Sequence, residues 1–181
     1  MDLEQLRRYA VLKICGFCGL IISFGLAGIY KGNRLKERID LLEDFYQMVL
    51  ELKSQISYFK EPLPDIFIKV GKTKQSKAFY LLSAIHIYFE KKNVYIANLW
   101  PSKVFEIYKD APLTEEDINT MCYLGDFIGQ GDYDTHIQHF NYLERKLDKQ
   151  IKEAKDNYKT KGNMYNKIGF FIGGIVAIIF I

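Results

Sequence analysis

Apolar residues are spread along the chain in three regimes. They run together at both ends, and between the ends they recur every three or four positions. From Ile14 to Tyr30 the sequence ICGFCGLIISFGLAGIY carries no charge. With Leu12 and a snorkelling Lys13, it approaches the roughly 20 residues needed to cross about 30 Å of hydrocarbon. The run is longer than the apolar core of a typical export signal, and Ala27 makes a poor cleavage site. A retained anchor is therefore predicted. The last residues, Ile168 to Ile181 (IGFFIGGIVAIIFI), are apolar throughout. Met164 and Tyr165 lengthen this run, and Lys167 can snorkel. At about 1.5 Å per residue it is short for a full span. A core helix seldom lacks a polar face, so a membrane location is predicted here too.

The middle has helical periodicity. Leu35, Ile39, Leu42, Tyr46, Val49, Leu52, Ile56 and Phe59 share one face. Glu37, Asp40, Glu43, Asp44 and Lys53 are expected mostly on the other. This predicts a long amphipathic helix continuing out of the first apolar run and ended by Pro62 and Pro64. A short helix from Pro64 to Val70 should stop at Gly71. Lys72 to Lys77 is a polar loop. Ala78, Phe79, Leu82, Ile85, His86 and Phe89 mark the next helix, with Asn93 as a terminator. Ile96, Trp100, Val104 and Ile107 keep the spacing across Pro101, which is expected to kink or divide that segment. Thr114 followed by Glu115, Glu116 and Asp117 has the form of a helix start. Its buried stripe is expected at Ile118, Met121, Cys122, Gly125 and Ile128. Gly129 to Asp132 is a turn. The last helix should bury Ile137, Phe140, Leu143, Leu147, Ile151, Ala154 and Tyr158.

No strand pattern emerges. The fold class expected is all-α: an antiparallel helical bundle flanked by N- and C-terminal transmembrane helices. The domains expected are an anchor over 1–30, a bundle over 31–163 and a membrane-inserted helix over 164–181. Lys31, Arg34, Lys36 and Arg38 follow the first apolar run. Lys152, Lys155, Lys159, Lys161 and Lys167 precede the second. Basic residues near spans favour the cytoplasmic side, so the bundle is expected there.

Composition adds little. The net charge of +3 points to no partner, and 49% hydrophobic residues exclude a disordered chain. Cys15 and Cys18 lie in an apolar helix without another soft ligand, and read as packing residues. Three cysteines so placed give no disulfide framework. No phosphate loop or nucleophile elbow is present, and the glycines at 125, 129 and 131 follow no strand. His136, His139 and Asp132 fall on one helical face, but a third strong ligand is missing and Asp132 suits a cap. His86 sits beside an apolar face as a core residue. The Lys72–Lys77 loop reads as solvated. No catalytic residue, metal, cofactor or nucleic-acid site is expected. Small residues recur every four positions at Cys15, Gly19, Ser23 and Ala27, and again at Gly169, Gly173 and Ala177. Such stripes let helices pair within the chain or between copies, although glycine is also common in membrane helices generally.

Three functions are open on these grounds: a docking platform, an enzyme whose site forms only in the fold, and a self-assembling, holin-like pore. The order of several local features decides between them. Leu52-x-x-x-Ile56-x-Tyr58 is followed by Pro62-Leu63. Trp100 is the sole tryptophan. Leu124-Gly125-x-x-Ile128-Gly129-x-x-Asp132 forms a turn, and Asn163-Met164-Tyr165 leads to Ile168-Gly169. In this order and spacing the chain resembles the stage III sporulation protein AB family from end to end. It departs at Gln55, where that family often has an acid, and at His136 and Ile137, where glutamines are usual.

The resemblance implies a non-enzymatic part of the channel complex between mother cell and forespore. It implies a place in the outer forespore membrane, with the bundle in the mother-cell cytoplasm. The bundle is similar to the cytoplasmic domains of type II secretion platform proteins. By that fold-level analogy the partners are the secretion-type ATPase, stage III sporulation protein AA, other membrane proteins of the complex and the lipid bilayer, with homo-oligomers an open option. Pro62, Leu63, Gly125, Gly129 and Asp132 are the candidate contact residues, and fold punctuation is their plainer role. Gly19, Ser23, Ala27, Gly169 and Gly173 are the candidates for helix packing in the membrane.

Overall fold

The computed structural model describes residues 3–59, 61–89, 96–128, 133–162, 164 and 171. Six α-helices account for nearly all of them: α1 (Leu3–Phe59), α2 (Leu63–Gly71), α3 (Lys77–Phe89), α4 (Ile96–Tyr108), α5 (Glu115–Phe127) and α6 (Tyr133–Asn157). A π-helical turn, Tyr158–Gly162, follows α6. No strand occurs among the described residues. The chain groups into two compact units, one of residues 37–154 and one of residues 1–36 with 155–181.

In the unit of residues 37–154, α2 pairs with α3 and α4 with α5, and α3 packs on α4. The α5 and α6 helices run antiparallel: Thr120 meets Gln150, and Phe127 meets His136 and Phe140. The core collects Leu42, Phe45, Met48, Val49 and Leu52 from α1, Phe67 from α2, and Phe79, Leu82 and Ile85 from α3. Trp100 and Val104 come from α4, Met121 and Leu124 from α5, and Phe140, Leu143 and Leu147 from α6. At ~25 cal/mol per Å² of apolar surface, burial on this scale drives the fold.

Local punctuation is mostly as the spacing predicts. Pro62 precedes α2, and its carbonyl accepts from the Asp65 and Ile66 amides at 3.0 and 3.2 Å. Thr114 caps α5, and Asp117 closes a reciprocal box: the Asp117 amide donates to Thr114 Oγ1 and the Thr114 amide to Asp117 Oδ2.

Four expectations are corrected. Pro101 does not divide α4; it is the sixth residue of a 13-residue helix, so only the first turn is affected by its missing donor. Asp44 is buried, not outward, because it serves the N-terminus of α3. The lysine loop is not simply solvated, since Lys74 pairs with Asp44 at 2.8 Å. Tyr158 is 37% exposed instead of sharing the buried face of α6. Asn93 lies outside the described residues.

In the other unit, α1 presents exposed Ile22, Leu26, Ile29 and Tyr30, and residues 164 and 171 are helical and exposed. Gly25, Gly28 and Gly32 are buried. Among the described residues, no helix is long and apolar enough to cross a membrane.

Candidate functional site: a cross-braced first helix

The α1 helix is 57 residues long, a contour of roughly 85 Å. It carries the uncharged run and the bundle's spine in one element. Within residues 37–154 its polar side chains tie it to its neighbours at four levels.

At the first level, the Arg38 guanidinium makes a two-pronged contact with Asp117 on α5. Nε donates to Oδ2 at 2.7 Å and Nη2 to Oδ1 at 3.0 Å. Asp117 is fully buried and the Arg38 side chain is 14% exposed. Hydrogen bonding to Asp117 holds the guanidinium protonated, raising its pKa against the opposing effect of burial. The same carboxylate accepts from the Thr114 amide, so its oxygens are well supplied.

At the second level, Asp44 reaches the start of α3. Its Oδ2 accepts from the Ala78 amide at 3.3 Å, and Oδ1 pairs with Lys74. A carboxylate from one helix thus satisfies an orphan donor at the positive end of another. The buried Tyr108 hydroxyl has its pKa raised by desolvation, with Asp44's charge adding to the effect. At the third level, Thr73 Oγ1 donates to Glu51 at 2.8 Å. At the fourth, Lys53 Nζ donates to Asn141 Oδ1 and Glu144 Oε1 on α6, both at 2.7 Å.

Beyond Lys53, the last turns of α1 and the first of α6 leave an open groove of about 780 Å³. It is lined by Leu50, Lys53, Ser54, Tyr58, Ile137 and Gln138, among others. Tyr58 is 81% exposed. Pro62 and Leu63 sit just past this end of α1. Pro62 is exposed, and Leu63 is half-buried against the core. Across α6, Phe127 stacks on His139 at 5.0 Å and 16°, and the Tyr123 hydroxyl is hydrogen-bonded to His139 Nδ1. His136 meets Phe127 edge-on. Both histidines are thus engaged with aromatic neighbours. Among the described residues, no group of three acidic, histidine or cysteine side chains is placed to hold a metal.

The remaining candidates fall as follows. Gly125 is buried directly beneath Trp100: a Cβ there would stand 2.4 Å from Trp100 Cβ and Cγ. It offers no surface. Gly129, Asp132, Gly169 and Gly173 lie outside the described residues. Gly19, Ser23 and Ala27 are exposed on α1, with the Ser23 hydroxyl donating to the Gly19 carbonyl at 2.8 Å. Among the residues of that segment whose burial is described, Gly25, Gly28 and Gly32 are buried.

The sequence reading missed the Arg38–Asp117 and Asp44–Ala78 links. Each joins residues far apart in the chain, and each acid also fits an ordinary role on an exposed helical face. One available signal was Asp117 at the third helical position after Thr114, the box geometry that fixes its carboxylate.

Compared with known proteins, residues 13–181 match the model of one family, described as stage III sporulation protein AB. No curated protein and no solved structure matches the chain.

Proposed function

The chain belongs to the stage III sporulation protein AB family, and on that premise we propose that it is a non-enzymatic membrane platform of the mother cell–forespore channel. It couples the secretion-type ATPase, stage III sporulation protein AA, to the membrane assembly. Membership itself gives the chain a part in sporulation. One observation carries the finer reading: α1 is unbroken from Leu3 to Phe59. The segment suited to lipid and the spine of the bundle therefore lie on one continuous helix.

The anchors, residues 1–30 and 164–181, sit in the outer forespore membrane, and the bundle hangs from them in the mother-cell cytoplasm. Two facts support this. Ile22, Leu26, Ile29 and Tyr30 face outward on α1 as a contiguous apolar surface of the kind that marks membrane or protein contact. Lys31, Arg34 and Lys36 follow at once, as the charge rule for cytoplasmic flanks requires.

The ATPase engages the bundle at the end of α1 remote from the apolar run, where Tyr58 and Leu50 line the groove and Pro62 and Leu63 follow in the chain. A push or pull there acts on α1, and the four braces distribute it through the bundle.

The test is co-purification of the detergent-solubilised full chain with the ATPase. Retention is expected for the parent, with loss of at least tenfold for the double variant Leu50→Glu/Tyr58→Glu. A charge reversal on the exposed α6 surface, Lys149→Glu, should change nothing. Equal retention of all three, or of none, refutes the proposal. Protease and thiol-labelling maps that place residues 37–154 outside the cytoplasm would refute the topology.

A further inference from the structure

The α3 helix, KAFYLLSAIHIYF, contains no acidic residue, and Lys77 is its sole lysine or arginine. A helix so apolar all round is normally enclosed on every side. Here only one side is enclosed. Phe79, Leu82 and Ile85 enter the core, while Tyr80 is 62% and Ile87 59% exposed. Ala84, half-buried, lies between them. Counted at about 100° per residue, positions 80, 84 and 87 fall within about 60° of one another on the outer face. An exposed apolar stripe of this kind marks a contact with a partner.

Three features of the stripe point to a second copy of the same chain. The first is its symmetry: a large residue at each end and a small one at the centre. Two copies laid antiparallel about a two-fold axis between positions 83 and 84 bring Tyr80 of each level with Ile87 of the other. Ala84 then meets its own counterpart, and so small a residue lets the axes approach to the 8–10 Å or so of packed helices. The second is a receiving surface. Tyr80 borders an open concavity of about 390 Å³ that Gly71, Lys74, Lys77 and Ser83 also line. Ile87 of the other copy projects toward the Ser83 side, where it enters that space. The third is charge. Lys77 stands at the first position of α3, the positive end of the helix dipole, where a cation is disfavoured. The Asp44 carboxylate at that end is already shared between the Ala78 amide and Lys74. Antiparallel pairing sets Lys77 beside the last carbonyls of the opposite α3, its negative end.

We propose that the outer face of α3 is a self-association surface, on which two copies pair antiparallel through Tyr80, Ala84 and Ile87. The inference goes beyond the platform reading and does not rest on it. A handful of side chains from each copy is far fewer than the roughly 20–30 residues a side of a stable complex. The pair is therefore weak, and its test is a covalent trap.

The test is disulfide formation on mild oxidation of the full chain in detergent, with Cys15, Cys18 and Cys122 changed to serine. Ala84→Cys should give a linked dimer at least about tenfold faster than Lys149→Cys, whose exposed place on α6 reports chance encounters. Tyr80→Cys and Ile87→Cys chains should each link poorly alone, because like positions stand about 10 Å apart along the axis, and readily when mixed. Ile87→Glu added to the Ala84→Cys chain should cut its dimer about tenfold without disturbing the fold, since Ile87 is exposed. Linking of Ala84→Cys no faster than the Lys149→Cys control overturns the proposal, and is the result expected if this face serves a different protein. Linking of Tyr80→Cys or Ile87→Cys alone as fast as the mixture overturns it too, since it would mean a parallel pair. The Ala84→Cys chain and the mixed chains are separate measurements, so either decides the matter if a variant of the other fails to fold.

Discussion

Gly125 provides the sharpest test of the packing. In an ordinary helix, alanine in place of glycine is worth up to about 1 kcal/mol in the helix's favour. Here the new methyl would lie 2.4 Å from both Cβ and Cγ of Trp100 and 2.8 Å from Cδ1. Carbon atoms rest at about 3.5–4.0 Å, so the overlap exceeds about 1 Å. Trp100 has no easy way to move. Its Cβ is fixed to the α4 backbone, and its Nε1–H donates to the Met121 carbonyl at 2.9 Å. The helices α4 and α5 must part instead. Overpacking of this kind costs about 1–3 kcal/mol, and straining a buried hydrogen bond adds about 1 kcal/mol or more. After the gain in helix propensity, Gly125→Ala should destabilise the bundle by about 2–3 kcal/mol. Urea unfolding of the full chain in detergent measures this, with the single tryptophan as the fluorescent probe. Trp100→Ala would itself cost about 3–5 kcal/mol. That change removes Cγ and Cδ1 but keeps the Cβ 2.4 Å away, so in its background, followed by far-UV circular dichroism, the cost of the alanine at 125 should fall without vanishing, a coupling of about 1 kcal/mol. An unchanged or stabilised Gly125→Ala chain would refute the reasoning.

Other outcomes follow from the braces, the half-buried Cys122 thiol and the anchors. Asp117→Asn strips the charge from a fully buried carboxylate and leaves Arg38 facing a neutral amide; a loss of about 3–5 kcal/mol is expected in the same assay, with little relief from salt. Lys53→Glu should cost about 1–2 kcal/mol, and Lys53→Glu combined with Glu144→Lys should recover about half of it, because Asn141 can serve either partner. Burial, helped by the Asp126 carboxylate, pushes the Cys122 thiol up to about 11. At pH 8 its thiolate fraction is on the order of 10⁻³, so alkylation should run about a hundredfold slower than in the urea-unfolded chain. The folded state holds that proton more tightly than the unfolded one, so its contribution to stability is intact below about pH 8.5 and lost as pH rises toward 11. Deleting Ile168 to Ile181 should release the chain to the soluble fraction or mislocalise it; unchanged fractionation and unchanged sporulation would count against the second anchor.

Much of the fold was legible because helical periodicity is a local property. The buried faces of α1 at Ile39, Leu42, Val49 and Leu52 and of α6 at Phe140, Leu143, Leu147, Ile151 and Ala154 follow from spacing alone. So does the Thr114 cap, while the helix expected from Pro64 begins one residue earlier, at Leu63, with Pro62 at its cap. What stayed hidden depended on the third dimension. Phe45 and Met48 are fully buried because α1 is covered over a wider arc than one stripe. Asp44 and Asp117 look like surface acids until α3 and α5 bring donors to them. The π turn leaves no mark in the hydrophobic pattern, in which Tyr158 keeps the spacing. The candidate contact residues divide in the same way. Pro62 is exposed at an end of the bundle, whereas Gly125 is taken up by Trp100, a partner 25 positions earlier that no local signal points to.

The arrangement of the braces bears on what α1 is for. Buried ion pairs add little net stability compared with well-packed apolar residues, so Arg38–Asp117 is not explained by strength alone. What an apolar stripe lacks is register. Residues repeating every three or four positions present a similar surface after a slip of one turn, about 5.4 Å along the axis. Packing by Ile39, Leu42, Val49 and Leu52 therefore resists separation better than sliding. A two-pronged contact at Arg38, a carboxylate on one amide at Asp44 and a lysine held between two acceptors at Lys53 each have one position in which they close. Together they lock α1 lengthwise against α5, α3 and α6. Such a lock matters most for a helix that carries axial load. Restoring bulk without polarity, as in Arg38→Met/Asp117→Leu, should therefore cost no more than the roughly 1 kcal/mol of the lost Thr114 box while impairing sporulation. If that variant sporulates normally, register along α1 is not what the braces provide.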